Sequence, residues 1–394
     1  VTALGRILDG FGVRSTLANP SQGLISALTD GRTASGRSVS IRNSMSLPAV
    51  FSAVSLISSS VGSLPLIVYR RLDEGDRERA PEHRTWRMLH DQFNDELGAD
   101  EGWEMVTAHL LLWGNAFLFK LRDNPLDLVD GLWPLTPSRV QVARLRTGEK
   151  RFVIDGDVGT PYTEADILHI RGLGLDGLVG LSPVREAREA LGVAQVQQEF
   201  QGRFLDAGGK PGVLLKHPNR LSDDAARRLE RSFDNAQPGS AKLLEEGLEA
   251  EKWTMPLEDA QFLESMQFSD LRVAQIFNLP PHFLGAKTGD SLTYATTEGR
   301  GIDYVTYTLR RWLVRIEKSL RRDPSVFVQG DRFFAEFLTA ALTRADIKTR
   351  YGAYAVGLTN GFLAVDEIRE LENLPHRDDL PEPRAQPQPP VPSD

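Results

Sequence analysis

The 394-residue chain contains no cysteine. Disulfides, thiolate metal sites and a cysteine nucleophile are thereby excluded, and the redox compartment leaves no trace in the sequence. No apolar run approaches the ~20 residues that a membrane-spanning helix requires, and the N-terminus lacks the charged start and apolar block of a secretory signal. The chain is therefore expected to be soluble and unsecreted, with no membrane partner. Positive charge is in short supply: 46 Lys and Arg against 54 Asp and Glu give a formal net charge of −8. A surface that wraps duplex DNA through its phosphates needs a basic footprint, which this balance does not supply. The seven histidines are scattered and form no H-E-x-x-H pair, so no metal and no cofactor is expected. Neither a G-x-S-x-G elbow nor a P-loop G-K-[ST] occurs, which leaves acyl transfer and nucleotide hydrolysis without support. No catalytic residue is expected.

What is present is ordinary globular material, 41% hydrophobic and 25% charged, in a chain longer than one typical core. It is organised around residues 166–212. A β-branched strand over 167–170 enters a glycine-rich turn, and Ser182-Pro183 then opens a long helix with a favoured N-cap and proline at its first position. Gly208, Gly209 and Pro211 supply its stop. Within it Val184, Ala187, Ala190, Val193, Val196, Phe200 and Phe204 make one apolar stripe, expected to pack. The opposite face carries Gln195, Gln198, Glu199 and Arg203, expected to stay wet.

On the N-terminal side, residues 1–45 are rich in Gly, Ser, Thr and Arg and read as a mobile arm. Order is expected from a cap at Ser46 followed by Pro48. Helical stripes follow at Val50, Val54, Ile57 and Val61, and at Trp103, Val106, Leu110 and Trp113. Strands are expected over 65–69 and 116–121, with a hairpin over 140–154. Without regular βαβ alternation, the fold class is α+β. Beyond the long helix, a strand at 212–216, a short helix from 221 and a hairpin of 242–246 with 248–253 form a module too small to hold much core alone. A helix over 259–277, a glycine-flanked polar loop at 285–294 and another helix follow. That last helix buries Ile302, Val305, Leu309, Trp312, Ile316 and Leu320. Strands are expected within 326–338, then two amphipathic helices and a proline-rich, disordered tail.

Two motifs need weighing. Gly172-x-Gly174-x-x-Gly177 matches a dinucleotide fingerprint, but residues 179–183 intervene before the helix opens and no second parallel strand follows, so it reads as a flexible turn. The basic face of Arg310, Arg311, Arg315 and Lys318 is a solvated surface, a contact with acidic groups of a neighbouring subunit, or a phosphate-facing patch.

A family resemblance rests on motifs whose order and spacing are jointly specific. They include Ser46-Leu47-Pro48-Ala49-Val50, Gly114-Asn115-Ala116, the DGLVGLSP run at 176–183 and Ile276-Phe277-Asn278-Leu279-Pro280-Pro281. Arg344-Ala345-Asp346 and Asp366-Glu367-Ile368-Arg369 complete them. Over about residues 46–376 the chain resembles the HK97-type phage portal family. Two departures stand out: Asp366 where the family often has Asn, and Tyr294-Ala295-Thr296 where it often has Tyr-Ser-Asn. The resemblance implies a portal-type subunit with an α/β wing (46–181 and 297–340), stem helices (182–210 and 259–284) and a small α/β clip (211–258). It further implies a tunnel loop (285–296), a helical crown (341–376) and a disordered tail (377–394). Lys287, Thr288, Gly289, Asp290, Ser291 and Leu292 would face DNA. The implied assembly is a homo-oligomeric, twelvefold ring at one capsid vertex of the virion, formed in the host cytoplasm. Its implied partners are terminase, the major capsid protein, head-completion and tail adaptor proteins, and double-stranded DNA passing non-specifically. Two rival readings are a soluble assembly or adaptor protein outside that family and a dinucleotide-binding oxidoreductase.

Overall fold

The computed structural model describes residues 33–73, 76–122, 129–157, 159, 161–206, 213–216, 249–252, 269–285, 297–328, 332–339 and 347–372. In chain order these hold α1 (Pro48–Gly62), β1 (Leu66–Arg71), β2 (Arg77–Arg79), α2 (Ala99–Trp113), β3 (Asn115–Leu121), β4 (Gly131–Leu135), β5 (Val140–Arg144), β6 (Lys150–Ile154) and β7 (Ile167–Arg171). A short turn of helix, Pro183–Glu186, leads into α3 (Arg188–Asp206). Then come β8 (Val213–Lys216), β9 (Glu249–Lys252), α4 (269–277), α5 (Thr297–Asp303), α6 (Arg310–Arg322), β10 (Phe333–Phe337), α7 (Ile347–Thr359) and α8 (Val365–Leu371).

The main core forms where α1 and α2 pack together against β1, β3 and α6. Val50, Val54, Ile57 and Val61 are all buried, as the 3.6-residue spacing predicts. Trp103 sits at the centre, its ring edge-on to Phe93 at 4.8 Å and to Phe337 at 5.9 Å, its indole N–H donating to Leu89 O at 3.0 Å. Pro48 occupies the first turn of α1, where a missing N–H costs nothing. The cap is Leu47 rather than Ser46, whose hydroxyl instead donates to Asn43 O.

Distant segments share one sheet. β10 pairs antiparallel with β1, Val68 opposite Ala335, and β2 lies on the other side of β1. A second antiparallel sheet runs β4-β3-β7, and β5-β6 form the expected hairpin. In the smaller module β9 pairs with β8, Val213 opposite Lys252. The other strand expected in its hairpin (242–246), the helix from 221 and the stop at 208–211 lie outside the described residues, as does the tail.

Three further corrections have physical causes. The long helix is interrupted at Ala187, whose backbone (φ −92°, ψ 11°) leaves the helical region before α3 begins. Ile302 is exposed rather than buried, because a π-helical segment, Tyr304–Leu309, joins α5 to α6 and shifts the phase of the apolar row. Tyr304 takes the inward position and bonds Ser60 Oγ at 2.9 Å. Last, order begins well before residue 46: Thr33 and Ser44 are already buried.

Candidate assembly surface

The base of α3 is fixed by a hub at the end of α2. Gly114 turns the chain with φ +71°, a conformation open to glycine, and a Cβ there would stand 1.9 Å from Leu181 O. A Cβ at Gly180 would stand 2.0 Å from Gly114 O. The two backbones meet with no room for side chains, which is the purpose of glycine at both places. Asn115 closes the hub. Its amide donates to Trp113 O (3.0 Å) and Gly180 O (2.8 Å), and its Oδ1 accepts from Gly180 N at 2.7 Å. Because that oxygen can only accept, His169 Nε2, 3.0 Å away, carries the proton. His169 lies stacked on Phe117 at 4.4 Å, its Nδ1 has no partner, and burial drives its pKa down to about 3. Ser182 then caps the helix as predicted, its Oγ accepting from Arg185 N at 3.2 Å while donating to Leu112 O at 2.6 Å.

The second helix of the pair is anchored as firmly. Asn278 ends α4 in the left-handed region (φ +52°), and its carbonyl accepts from Thr308 Oγ1 at 2.6 Å. Val273 and Phe277 enter the same core as Val184 and Leu191. The two helices touch farther out, where Ser269 Oγ donates to Gln197 Oε1 at 2.5 Å.

Around α3 the faces are distributed differently from the reading of its stripe. Residues 33–43 lie along it as a strap. Ala34 N donates to Glu189 Oε2 at 2.9 Å, Arg37 pairs with Glu199, and Gln195 donates to Asn43 Oδ1 at 3.1 Å. At Gly192 the strap comes so near that a Cβ would stand 2.7 Å from Thr33 Oγ1. Gln195 and Glu199, expected in water, are thus partly covered; Glu199 also pairs with Arg203, which is exposed, as is Gln198. The polar arm settles there because its hydroxyl, amide and guanidinium groups need a polar face to bond. Conversely Val193 (48% exposed) and Val196 (37%) stand in solvent, although the apolar stripe was expected to pack, and Phe200 is half-exposed. An open row of this kind marks a surface awaiting a partner.

The basic residues separate by role. Arg310, Arg311 and Lys318 are exposed, with the Arg311 guanidinium 4.4 Å from the centre of the Trp312 ring. Arg315 is half-buried and donates to the carbonyls of Arg171 (3.1 Å) and Gly172 (2.7 Å), clamping α6 to β7. Sequence reading missed this clamp, and it missed Asn115 as a hub; an Asn directly after a helix-ending glycine was the available signal. Lys287, Thr288, Gly289, Asp290, Ser291 and Leu292 lie outside the described residues. Among the described residues no group of three or more His, Asp or Glu is placed to hold a metal, and no helix is long and apolar enough to cross a membrane.

The phage portal protein family model matches residues 48–373. The chain belongs to the phage portal protein family. It is 31% identical over 360 residues to the probable portal protein of Streptomyces phage phiC31, covering 86% of this chain and 77% of that one. To the portal protein of Enterobacteria phage HK97 it is 26% identical over 378 residues, covering 93% and 88% respectively. Its fold matches a chain in the neck of a native gene transfer agent particle, computed with C12 symmetry. The TM-score is 0.57 at 22% identity, over 89% of this chain and 99% of the other. This portal-family fold accounts for the motifs at Gly114-Asn115 and Asn278: both fix where the paired helices leave the main body.

Proposed function

We propose that this chain is the structural, non-catalytic subunit of a ring at one capsid vertex, through which double-stranded DNA enters and leaves the particle. The observation that carries the reading is the open apolar row of Val193 and Val196 on α3, one of two touching helices rooted in a common core. A single copy leaves that row partly in water, and burying the exposed remainder of each side chain is worth about 1 kcal/mol. Head-to-tail packing about a rotation axis would bury it in every copy and close the assembly. The C12 symmetry of the similar neck structure supports twelve copies.

In this plan the main body is the wing, α3 and α4 are the stem, β8 and β9 belong to the clip, and α7 and α8 form the crown. The clip is the surface for terminase and later for head-completion and tail adaptor proteins. The wing faces the major capsid protein. Lys287, Thr288, Gly289, Asp290, Ser291 and Leu292 make the tunnel loop, touching DNA weakly, since tight phosphate binding would stall its movement. The ring assembles in the host cytoplasm and resides in the virion.

Light scattering with negative-stain imaging tests the assembly. Twelve copies of 43.7 kDa give about 524 kDa in an annular particle. A monomer at every concentration and salt would remove the proposal. Deleting residues 285–292 tests the loop: rings should persist while packaging or retention of DNA fails, and unchanged packaging sinks that assignment.

A further inference from the structure

A cleft of about 580 Å³ opens between β7, the glycine turn at 172–177 and one face of α6. Its cations are Lys150, Arg171, Arg315, Lys318 and Arg322. Arg315, Lys318 and Arg322 follow one another at three- and four-residue steps, so they share a stripe of α6. Two carboxylates also line the cleft, and both are engaged: Glu164 with Lys150 at 2.7 Å, and Asp323 with the buried Lys120. Arg171 rests on Gly177 O, and Arg315 on the carbonyls of Arg171 and Gly172. Carbonyl contacts satisfy N–H groups without cancelling charge. Lys318 and Arg322 make no ion pair among the described residues. Four cations therefore share one cleft in which neither lining carboxylate pairs with them; Glu317, whose charge interacts with Lys318, is not among the lining residues, and the chain's net charge is −8.

Like charges one turn apart on a helix repel, so this stripe is held at a cost that an anion would remove. The size of the row identifies the anion. Arg315 and Arg322 are seven residues apart, about 10 Å along the helix axis at 1.5 Å per residue. One carboxylate would neutralise one cation of the row and strand the others. A polyanion with charges at regular intervals matches several, and the planar fork of arginine suits phosphate oxygens.

We propose that this cleft binds backbone phosphates of double-stranded DNA, through residues of β7, the glycine turn and α6 that are distinct in sequence from the proposed tunnel loop. The cleft's preference for phosphate follows from its charges, whereas DNA as the source rests on the portal reading above. Binding is non-specific, because none of these groups is placed to read a base edge.

The test titrates purified full-length protein with a random-sequence 30-base-pair duplex at several salt concentrations, followed by fluorescence anisotropy. Lys318→Gln/Arg322→Gln should lose about tenfold in affinity at low salt, with the slope of log affinity against log salt reduced by about 2, at roughly 0.9 per phosphate contact. Lys318→Arg/Arg322→Lys, which keeps both charges, should bind as the wild type does. Unchanged DNA affinity in the double Gln variant overturns the proposal. So does calorimetric binding of inorganic phosphate that the Gln variant loses while its DNA affinity stays, which identifies a small-anion site. Light scattering is run in parallel: loss of assembly in the Gln variant with unaltered DNA binding would mean that these cations meet an acidic face of a second copy. A wild type that never assembles would count against the ring, while the duplex titration would still judge the cleft.

Discussion

Lys120 Nζ and the Asp323 carboxylate form a buried ion pair that joins β3 to the residue closing α6, with side chains 1% and 8% exposed. Lys120 also donates to Glu164 O at 2.8 Å, and Asp323 accepts from Ser325 N at 3.0 Å. Burial lowers the lysine pKa while Asp323 opposes that shift. The pair couples two segments that meet only in the folded chain. Lys120→Met strands a carboxylate in the core and should cost about 3–5 kcal/mol, whereas Lys120→Met/Asp323→Leu should recover most of it. Denaturant midpoints of the three proteins decide this, and equal midpoints for the single and double variants would falsify the coupling.

Arg315 should tolerate lysine but not alanine. One nitrogen, Nη1, donates to both successive carbonyls, a pair of bonds that the three N–H groups of an ammonium can also make. Arg315→Ala should lower stability by about 1–3 kcal/mol, and Arg315→Lys should recover most of that loss. Equal thermal melts for the two variants would show that the clamp needs the full guanidinium.

The strap gives a proteolytic readout. Gly192→Val sets a side chain against Thr33 and Ser35, so the segment should lift from α3. Trypsin should then cut after Arg37 and Arg42 several-fold faster than in the wild type. Identical digestion would mean that the strap is held by its ion pair alone.

Acid should weaken the fold through two histidines. Burial lowers the pKa of His109 to about 4 and that of His169 to about 3, against 6.5 for free imidazole. Both remain neutral when folded and gain protons on unfolding, so their contribution is complete above pH 6.5 and is lost as pH falls toward the folded values. Each contributes a slope of about 1.4 kcal/mol per pH unit inside its window. His109→Leu, which replaces a ring with an unpartnered Nδ1, should flatten the fall of the melting temperature between pH 6.5 and 4.5. A parallel curve would show that carboxylates elsewhere govern it.

Val193→Glu should leave secondary structure by circular dichroism unchanged, because the side chain is half exposed in the single chain. The solution mass should nevertheless drop. Retained mass would move the subunit contact away from this row.

Much of this architecture was legible because it is local. The stripe at Val50, Val54, Ile57 and Val61, the Ser182-Pro183 start and the hairpin of β5 and β6 all follow from neighbours within one or two turns. What escaped was decided at long range. Nothing near Val68 announces a partner at Ala335, and nothing beside Lys120 announces Asp323. The arm's polar composition suggested disorder, yet its bonding groups find Glu189, Gln195 and Glu199 far along the chain. Ile302 went astray because a π-helical segment changes the period on which the count relied.

The pairing of β10 with β1 has a consequence for synthesis. As the polypeptide leaves the ribosome, β1 waits with one edge bare until residue 337 has emerged, by which time the paired helices and the module between them have already been made. The body in which those helices are rooted is completed late. A truncated product that ends before residue 333 therefore lacks the strand that completes the foundation of those helices.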